Sequence, residues 1–149
     1  FWRGLKTEHR AFEFATEVVN RLDAVVVRGI DLEPSDADLV HLKGMTNLEE
    51  LWLSNTQVTD AGIAHLKGLS KLQSLGLLNT QVTDVGLVHL KGLSRLESLV
   101  LNDTQVTDAG LVHLKGLTGL QTLELSNTKV TDAGVADLQK ALPNCKISK

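Results

Sequence analysis

Residues 48–71 read LEELWLSNTQVTDAGIAHLKGLSK, residues 72–95 LQSLGLLNTQVTDVGLVHLKGLSR, residues 96–119 LESLVLNDTQVTDAGLVHLKGLTG and residues 120–143 LQTLELSNTKVTDAGVADLQKALP. The four segments open at Leu48, Leu72, Leu96 and Leu120, so the period is 24 (72 − 48). Within each, the apolar rhythm changes. Leu48, Leu51 and Leu53 form an L-x-x-L-x-L run whose second half alternates, as a half-buried strand does. Thr59-Asp60 then supplies a helix N-cap, and Ile63 and Leu66 lie three apart on one helical face. Gly68, just past Lys67, suits a left-handed position closing that helix, with the lysine at its negative end. Each repeat is therefore predicted to be a short strand, a tight turn and a short helix.

The pattern extends outward in both directions. A degenerate copy starts at Leu22, places Val25 and Val27 in the next two apolar slots, and ends His41-Leu42-Lys43-Gly44-Met45 after two extra residues. The C-terminus begins a further copy, residues 144–149, in which Ile147 keeps the register of Leu123 (123 + 24 = 147). A single unit of this kind cannot bury its own apolar face, whereas stacked units share a continuous core.

This motif resembles the leucine-rich-repeat family, in the short bacterial form with a T-D-A-G-L helix start, over residues 22 to 147. The resemblance implies an α/β fold: a right-handed solenoid (horseshoe) with a parallel sheet on the concave side and short helices on the convex side. In the family, an asparagine usually bonds backbone groups between repeats. Thr56, Thr80, Thr104 and Thr128 take that slot here and suggest a threonine ladder, since a hydroxyl both donates and accepts. Ile30 fills the slot in the first copy and marks it as a terminal unit.

An exposed solenoid end has to be covered. Thr7 to Arg21 is predicted to form a helix with Ala11, Phe12, Ala15, Val18, Val19 and Leu22 toward one side. The domain organisation is thus an N-terminal segment and capping helix over 1–21 and a solenoid over 22–149, with one degenerate repeat, four full repeats and a short C-terminal cap. Lys146 and Lys149 place charge at the C-terminal edge, which discourages edge pairing. Cys145 is expected to pack near that end as a structural thiol.

Composition bounds the function. The 149 residues are 42% hydrophobic with a net charge of −3, and acidic residues are interspersed with the lysines, so a broadly basic nucleic-acid surface is not expected. A single cysteine excludes an intrachain disulfide and favours a reducing compartment, although surface proteins of bacteria also lack cystines. No apolar run approaches the ~20 residues that span a bilayer. The opening Phe1-Trp2-Arg3, followed by Lys6, reads either as the tail of an upstream membrane anchor or as a flexible start. The location is thus cytoplasmic or membrane-anchored at the cell surface.

Three residue ladders invite a site reading, and the repeat accounts for each. His41, His65, His89 and His113 share one helix position, but neighbouring helices pack about 8–10 Å apart and zinc binds nitrogen at roughly 2.0–2.1 Å; no metal is expected. Asp60, Asp84, Asp108 and Asp132 sit at helix starts, where a carboxylate satisfies free backbone N–H groups. Lys43, Lys67, Lys91 and Lys115 form a ladder on the convex side that reads either as a surface for an acidic partner or, in keeping with the repeat, as solvated helix ends. No phosphate loop, zinc-hydrolase motif or nucleophile elbow is present, and no cofactor is called for. Asn102-Asp103-Thr104 matches a glycosylation sequon by chance alone.

Positions that the repeat leaves free are the informative ones. Strand residues between the buried leucines point to the concave face. With an offset for the first copy, the central column reads Val26, Trp52, Gly76, Val100, Glu124. Ala24, Glu50, Ser74, Ser98, Thr122 run on one side of it and Arg28, Ser54, Leu78, Asn102, Ser126 on the other. Trp52 is expected to stand exposed between Val26 and the space left by Gly76, making with Leu78 and Val100 an apolar patch rimmed by Glu50, Arg28, Asn102 and Glu124. An aromatic anchor with a polar rim is the pattern of a binding hot spot. The sequence therefore points to a non-catalytic scaffold for a protein or peptide. Two other readings stay open: a spacer in a longer membrane-anchored protein, or the recognition arm of a ubiquitin-ligase-like or kinase-containing protein.

Overall fold

The structure, a computed structural model, describes the backbone of residues 25–28 and all of residues 34–149. The predicted capping helix over Thr7–Arg21, the opening Phe1-Trp2-Arg3 and Ile30 lie outside the described residues. Six strands, β1 (Val25–Arg28), β2 (Leu48–Trp52), β3 (Ser74–Gly76), β4 (Ser98–Val100), β5 (Thr122–Glu124) and β6 (Lys146–Ser148), form one parallel sheet in sequence order. Between them lie α1 (Asp60–Ile63), α2 (Asp84–Leu87), α3 (Asp108–Leu111) and α4 (Asp132–Ala141). The first three tighten at once into 3-10 turns, Ala64–Leu66, Val88–Gly92 and Val112–Leu114, and the first copy has only a 3-10 helix, Asp38–Gly44. The result is the expected α/β leucine-rich-repeat horseshoe, open and unclosed.

Every leucine of the L-x-x-L-x-L run is buried. Leu48, Leu51 and Leu53, and their counterparts down to Leu120, Leu123 and Leu125, are at most 3% exposed. Each such burial contributes about 1.5–3 kcal/mol, and all belong to a single cluster that includes Met45, Leu142 and Cys145. Because strands stack in register (Leu51↔Leu75, Leu75↔Leu99, Leu99↔Leu123, Leu123↔Ile147), each leucine packs on the same residue of the next repeat. Gly68 adopts φ 108°, the left-handed closing conformation its position called for.

The turn after each strand needs a second left-handed residue. Asn55, Asn79, Asp103 and Asn127 hold φ between 52° and 60°, a region that only short polar side chains and glycine enter at little cost. Their side chains also join across repeats: Asn79 Nδ2 donates to Asn55 Oδ1 and Asn127 Nδ2 to Asp103 Oδ1, both at 3.0 Å. The threonines beside them do not make the expected ladder between repeats. Thr56, Thr80, Thr104 and Thr128 each donate to a carbonyl three residues back in their own repeat, Leu53, Leu77, Leu101 and Leu125, at 2.7–2.8 Å. The turn is so tight that the hydroxyl reaches its own strand end first.

A second side-chain bond between repeats is made by the aspartates. Each caps nothing in its own helix; the preceding threonine does that, as Thr59 accepts from Ala61 N at 3.2 Å. The carboxylate reaches forward to the next repeat's threonine. Asp60 accepts from Thr83 N (2.8 Å) and Oγ1 (2.6 Å), and Asp84 from Thr107 N (2.8 Å) and Oγ1 (2.6 Å). Asp36 serves Thr59, and Asp108 serves Thr131, in the same way. The glycine two residues after each aspartate makes the room. A Cβ on Gly86 would overlap the Asp60 carboxylate, and one on Gly110 the Asp84 carboxylate. Thus T-D-x-G is a clasp: threonine donates, the aspartate of the preceding repeat accepts, and glycine clears the path.

The clasp also corrects the register of the first copy. Val27 pairs with Leu51 and Arg28 with Trp52, after a shift between Val25 and Val26, so the spacing is 24 there too (52 − 28 = 24; 65 − 41 = 24). No two-residue insertion is needed. In this register the threonine slot of the first copy falls at residue 32 rather than at Ile30, both outside the described residues.

Two tests follow from the clasp. Asp84→Ala and Gly110→Ala are each expected to cost about 1–3 kcal/mol, lowering the thermal midpoint by several degrees. The double variant should cost clearly less than the sum, because both changes break one bond pair; strict additivity would show that glycine and carboxylate are unconnected. Asp108, held below the usual carboxylate range by the Thr131 hydroxyl and then its N–H, gives the pH dependence. Its contribution is complete above the ordinary aspartate value of about 3.9 and disappears as pH falls through the lower folded value. Acid titration of thermal stability should show a drop below about pH 4 that is reduced in Asp108→Asn.

Candidate binding surface

Strand residues that are not core leucines form three columns on the concave face. The central one runs Trp52, Gly76, Val100, Glu124 in direct register. Arg28, not Val26, is the backbone neighbour of Trp52, while Val26 pairs with Glu50. The expected order of the first copy is thereby corrected by one alternation, because β1 follows the 24-residue spacing. The side chains of Val26 and Arg28 lie outside the described residues.

Trp52 does not stand exposed beside a gap. It is half-buried, and its indole lies across Gly76, where a Cβ would overlap Cε3 and sit close to Cζ3. The indole N–H donates to Glu50 Oε2 at 3.2 Å, which orients the ring. Glycine at 76 is thus the seat of the tryptophan. Leu78 and Val100 are half-buried, Leu78 two residues beyond Gly76 and Val100 beside it in the next strand.

The far side of the patch is polar and tied together. Asn102 Nδ2 donates to Glu124 Oε2 at 2.8 Å, and Asn102 Oδ1 accepts from Ser126 N at 2.8 Å. Both ends of the Asn102 amide are therefore engaged in bridging two strands, a structural use for the first residue of the sequon. Glu124 itself is exposed. The structure thus brings Glu50, Trp52, Leu78, Val100, Asn102 and Glu124 onto one face.

Among the described residues no group of three or more His, Cys, Asp or Glu side chains is placed to hold a metal ion. In the fourth repeat Asp137 replaces histidine and pairs with Lys115 at 2.7 Å; that hydrogen bond and charge hold its carboxyl below the usual range. Asp132, last of the clasp series, pairs with Lys149 at 2.5 Å. Cys145 is 4% exposed, and burial pushes its thiol up, against thiolate reactivity. Among the described residues, no helix is long and apolar enough to cross a membrane.

The family model for leucine-rich repeats in two copies matches residues 46–92 and 94–144, well over half of the chain. The chain belongs to the leucine-rich-repeat family. It is similar to the crystal structure of internalin C2 from Listeria monocytogenes, with 31% identity and a TM-score of 0.66, over 82% of this chain and 48% of that one. A second internalin of that organism is 26% identical with a TM-score of 0.67, over 90% of this chain and 37% of the other. The chain thus spans half or less of the length of the internalins it matches. The actin-binding site 2 of leiomodin-1, at 17% identity and a TM-score of 0.68 over 95% of this chain and 90% of that one, shows the fold alone. No curated protein sequence matches the chain significantly. Leucine-rich-repeat domains generally bind proteins or peptides.

The seat of the indole is open to a direct test. Gly76→Ala should drive Trp52 off the sheet at a cost of about 1–3 kcal/mol for the overpacked position. In a Trp2→Phe background, the remaining tryptophan should then emit at longer wavelength. An unchanged spectrum would show that the ring does not rest on residue 76.

Proposed function

We propose that this protein is a non-catalytic scaffold that binds a protein or peptide on its concave sheet, with Trp52 as the anchor. One observation carries the reading. The leucines, turn asparagines and clasp residues that repeat every 24 residues build the frame, whereas the concave columns vary from strand to strand. What varies within a built frame is free to be shaped by a ligand.

The chemistry of the patch sets the kind of partner. A tryptophan pre-oriented by Glu50 and Gly76 loses little side-chain entropy on binding, which favours an anchor. Leu78 and Val100 extend the apolar centre, and Glu50 and Glu124 give the rim a negative bias. A partner with an apolar residue for the centre and a basic residue for the rim fits this surface. Nucleic acid does not fit it, since phosphate would face carboxylates.

The reading is tested by affinity capture with wild-type protein against Trp52→Ala, followed by mass spectrometry and titration of the captured partner. Trp52→Ala and Val100→Asp are each expected to weaken binding about tenfold or more (1.4 kcal/mol per tenfold), with an unchanged circular dichroism spectrum. Unchanged affinity in both variants would place the binding surface elsewhere.

A further inference from the structure

The concave face holds two carboxylates that its own side chains already aim. Glu50 accepts the Trp52 indole N–H on Oε2, and Glu124 accepts the Asn102 amide on Oε2. Among the described residues, neither Oε1 makes a hydrogen bond or ion pair. A carboxylate offers about four lone-pair sites, so each can take a further donor.

Strand register sets how far apart the two stand. Glu50 is in line with Ser74, Ser98 and Thr122, and Glu124 lies two residues beyond Thr122. Three strand steps of ~4.8 Å and two residues of ~3.3 Å separate their backbones by roughly 16 Å on a diagonal. The Trp52 ring over Gly76 and the neighbouring Val100 lie along it.

From β2 to β5 the three concave columns carry no lysine or arginine, and the positions flanking them add Glu49, Glu97 and Asp103. The cations of the face stand in its outer strands, Arg28 next to Trp52 in β1 and Lys146 next to Thr122 in β6. Lys71, bonded to Asn47, and Arg95 lie further out in the loops entering β3 and β4, and Lys129 in the turn after β5. A cation placed over the centre therefore meets Glu50 and Glu124 first.

Hydroxyls select the conformation of the ligand. Ser54, Ser74, Ser98, Thr122 and Ser126 surround the apolar centre, and among the described residues their side chains make no hydrogen bond. A helix arrives with its backbone satisfied, whereas an extended segment brings N–H and C=O groups that need partners. An extended segment also turns every second side chain to one face. Residues i and i+4 then stand about 13 Å apart, a gap that long cationic side chains can splay to fill. We infer, on the concave reading proposed above, that this face takes an extended peptide with basic residues at i and i+4. These lie over Glu50 and Glu124, and an apolar residue at i+2 rests against Trp52 and Val100.

The test uses the whole chain and two capped peptides of one composition. The first has lysines at i and i+4 around a leucine at i+2, with serine and threonine between. In the second, the distal lysine moves to i+5, on the opposite face. Heteronuclear NMR titration should shift amides of β2 to β5, with the first peptide binding about threefold or more tighter than the second. Glu50→Gln and Glu124→Gln, which keep an oxygen for the Trp52 and Asn102 donors, should each remove most of that advantage, as should raised salt. Equal affinities at the concave strands would overturn the spacing and leave the surface standing. Shifts outside β2 to β5, or no binding of either peptide, would also overturn the inference, and capture with Trp52→Ala then decides the surface separately. Tighter binding of a helical peptide carrying the same residues would replace the extended occupant by a helix. Dimerisation in sedimentation that is lost in Trp52→Ala would replace it by a second copy.

Discussion

The surface of this protein depends on how one repeat is fastened to the next, and on the helix side, away from the backbone ladder of the sheet, the fastening is the aspartate-to-threonine clasp. A leucine core alone is tolerant: it supplies energy for stacking but little to fix the angle or register between units. A carboxylate that accepts from both an N–H and an O–H of the adjacent repeat, in a channel only a glycine leaves open, admits one placement. Charge-assisted bonds of this kind are short and roughly twice as strong as neutral ones. Repeated at Asp36, Asp60, Asp84 and Asp108, they hold the helix side of the stack at the same 24-residue spacing as the strand register of the concave columns. The threonine does two jobs, since its hydroxyl also caps its own helix, so each clasp couples the start of one helix to the start of the next.

Much of the fold was legible in the sequence because the repeat is strict. Leucine periodicity located each strand between Leu48 and Ser148, and the Thr59-type cap and Gly68 bounded the helix. What was not legible concerned direction. An aspartate after a capping threonine reads equally well as a helix-start charge or as a reach to the neighbouring repeat; only the position of Gly86 relative to Asp60 distinguishes the two. Thr56 was ambiguous in the same way, because a hydroxyl can serve a turn or a ladder; its bond to Leu53 O keeps it in its own turn, and the Asn79–Asn55 bond runs between repeats instead. The first copy was misaligned by two residues because Leu22, Val25 and Val27 imitate the leucine spacing, whereas the strand pairs Arg28 with Trp52.

The candidate site was partly legible. The sequence placed Trp52, Gly76 and Val100 in one column, since alternation in a strand is nearly as strict as the repeat itself. It did not reveal that Gly76 is a seat and not a gap, because that depends on the indole rotamer and on its bond to Glu50. Nor did it reveal that Val85 and Val112 are left exposed on the helices, since valine there reads as an ordinary helix residue. Leucines, turn asparagines and clasp residues that recur within the chain are spent on assembly, and the concave columns are the part of the frame that varies.

The central claim, that the clasp fastens the stack, is tested most directly by native-state hydrogen exchange at the threonine amides. If the carboxylates hold Thr83 N and Thr107 N as the structure shows, these two amides should be protected to the level of the strand amides of Leu75 and Leu99, exchanging only when the stack opens. Unprotected exchange of Thr83 and Thr107 would contradict the account and leave the leucine core and the sheet ladder to fasten the repeats.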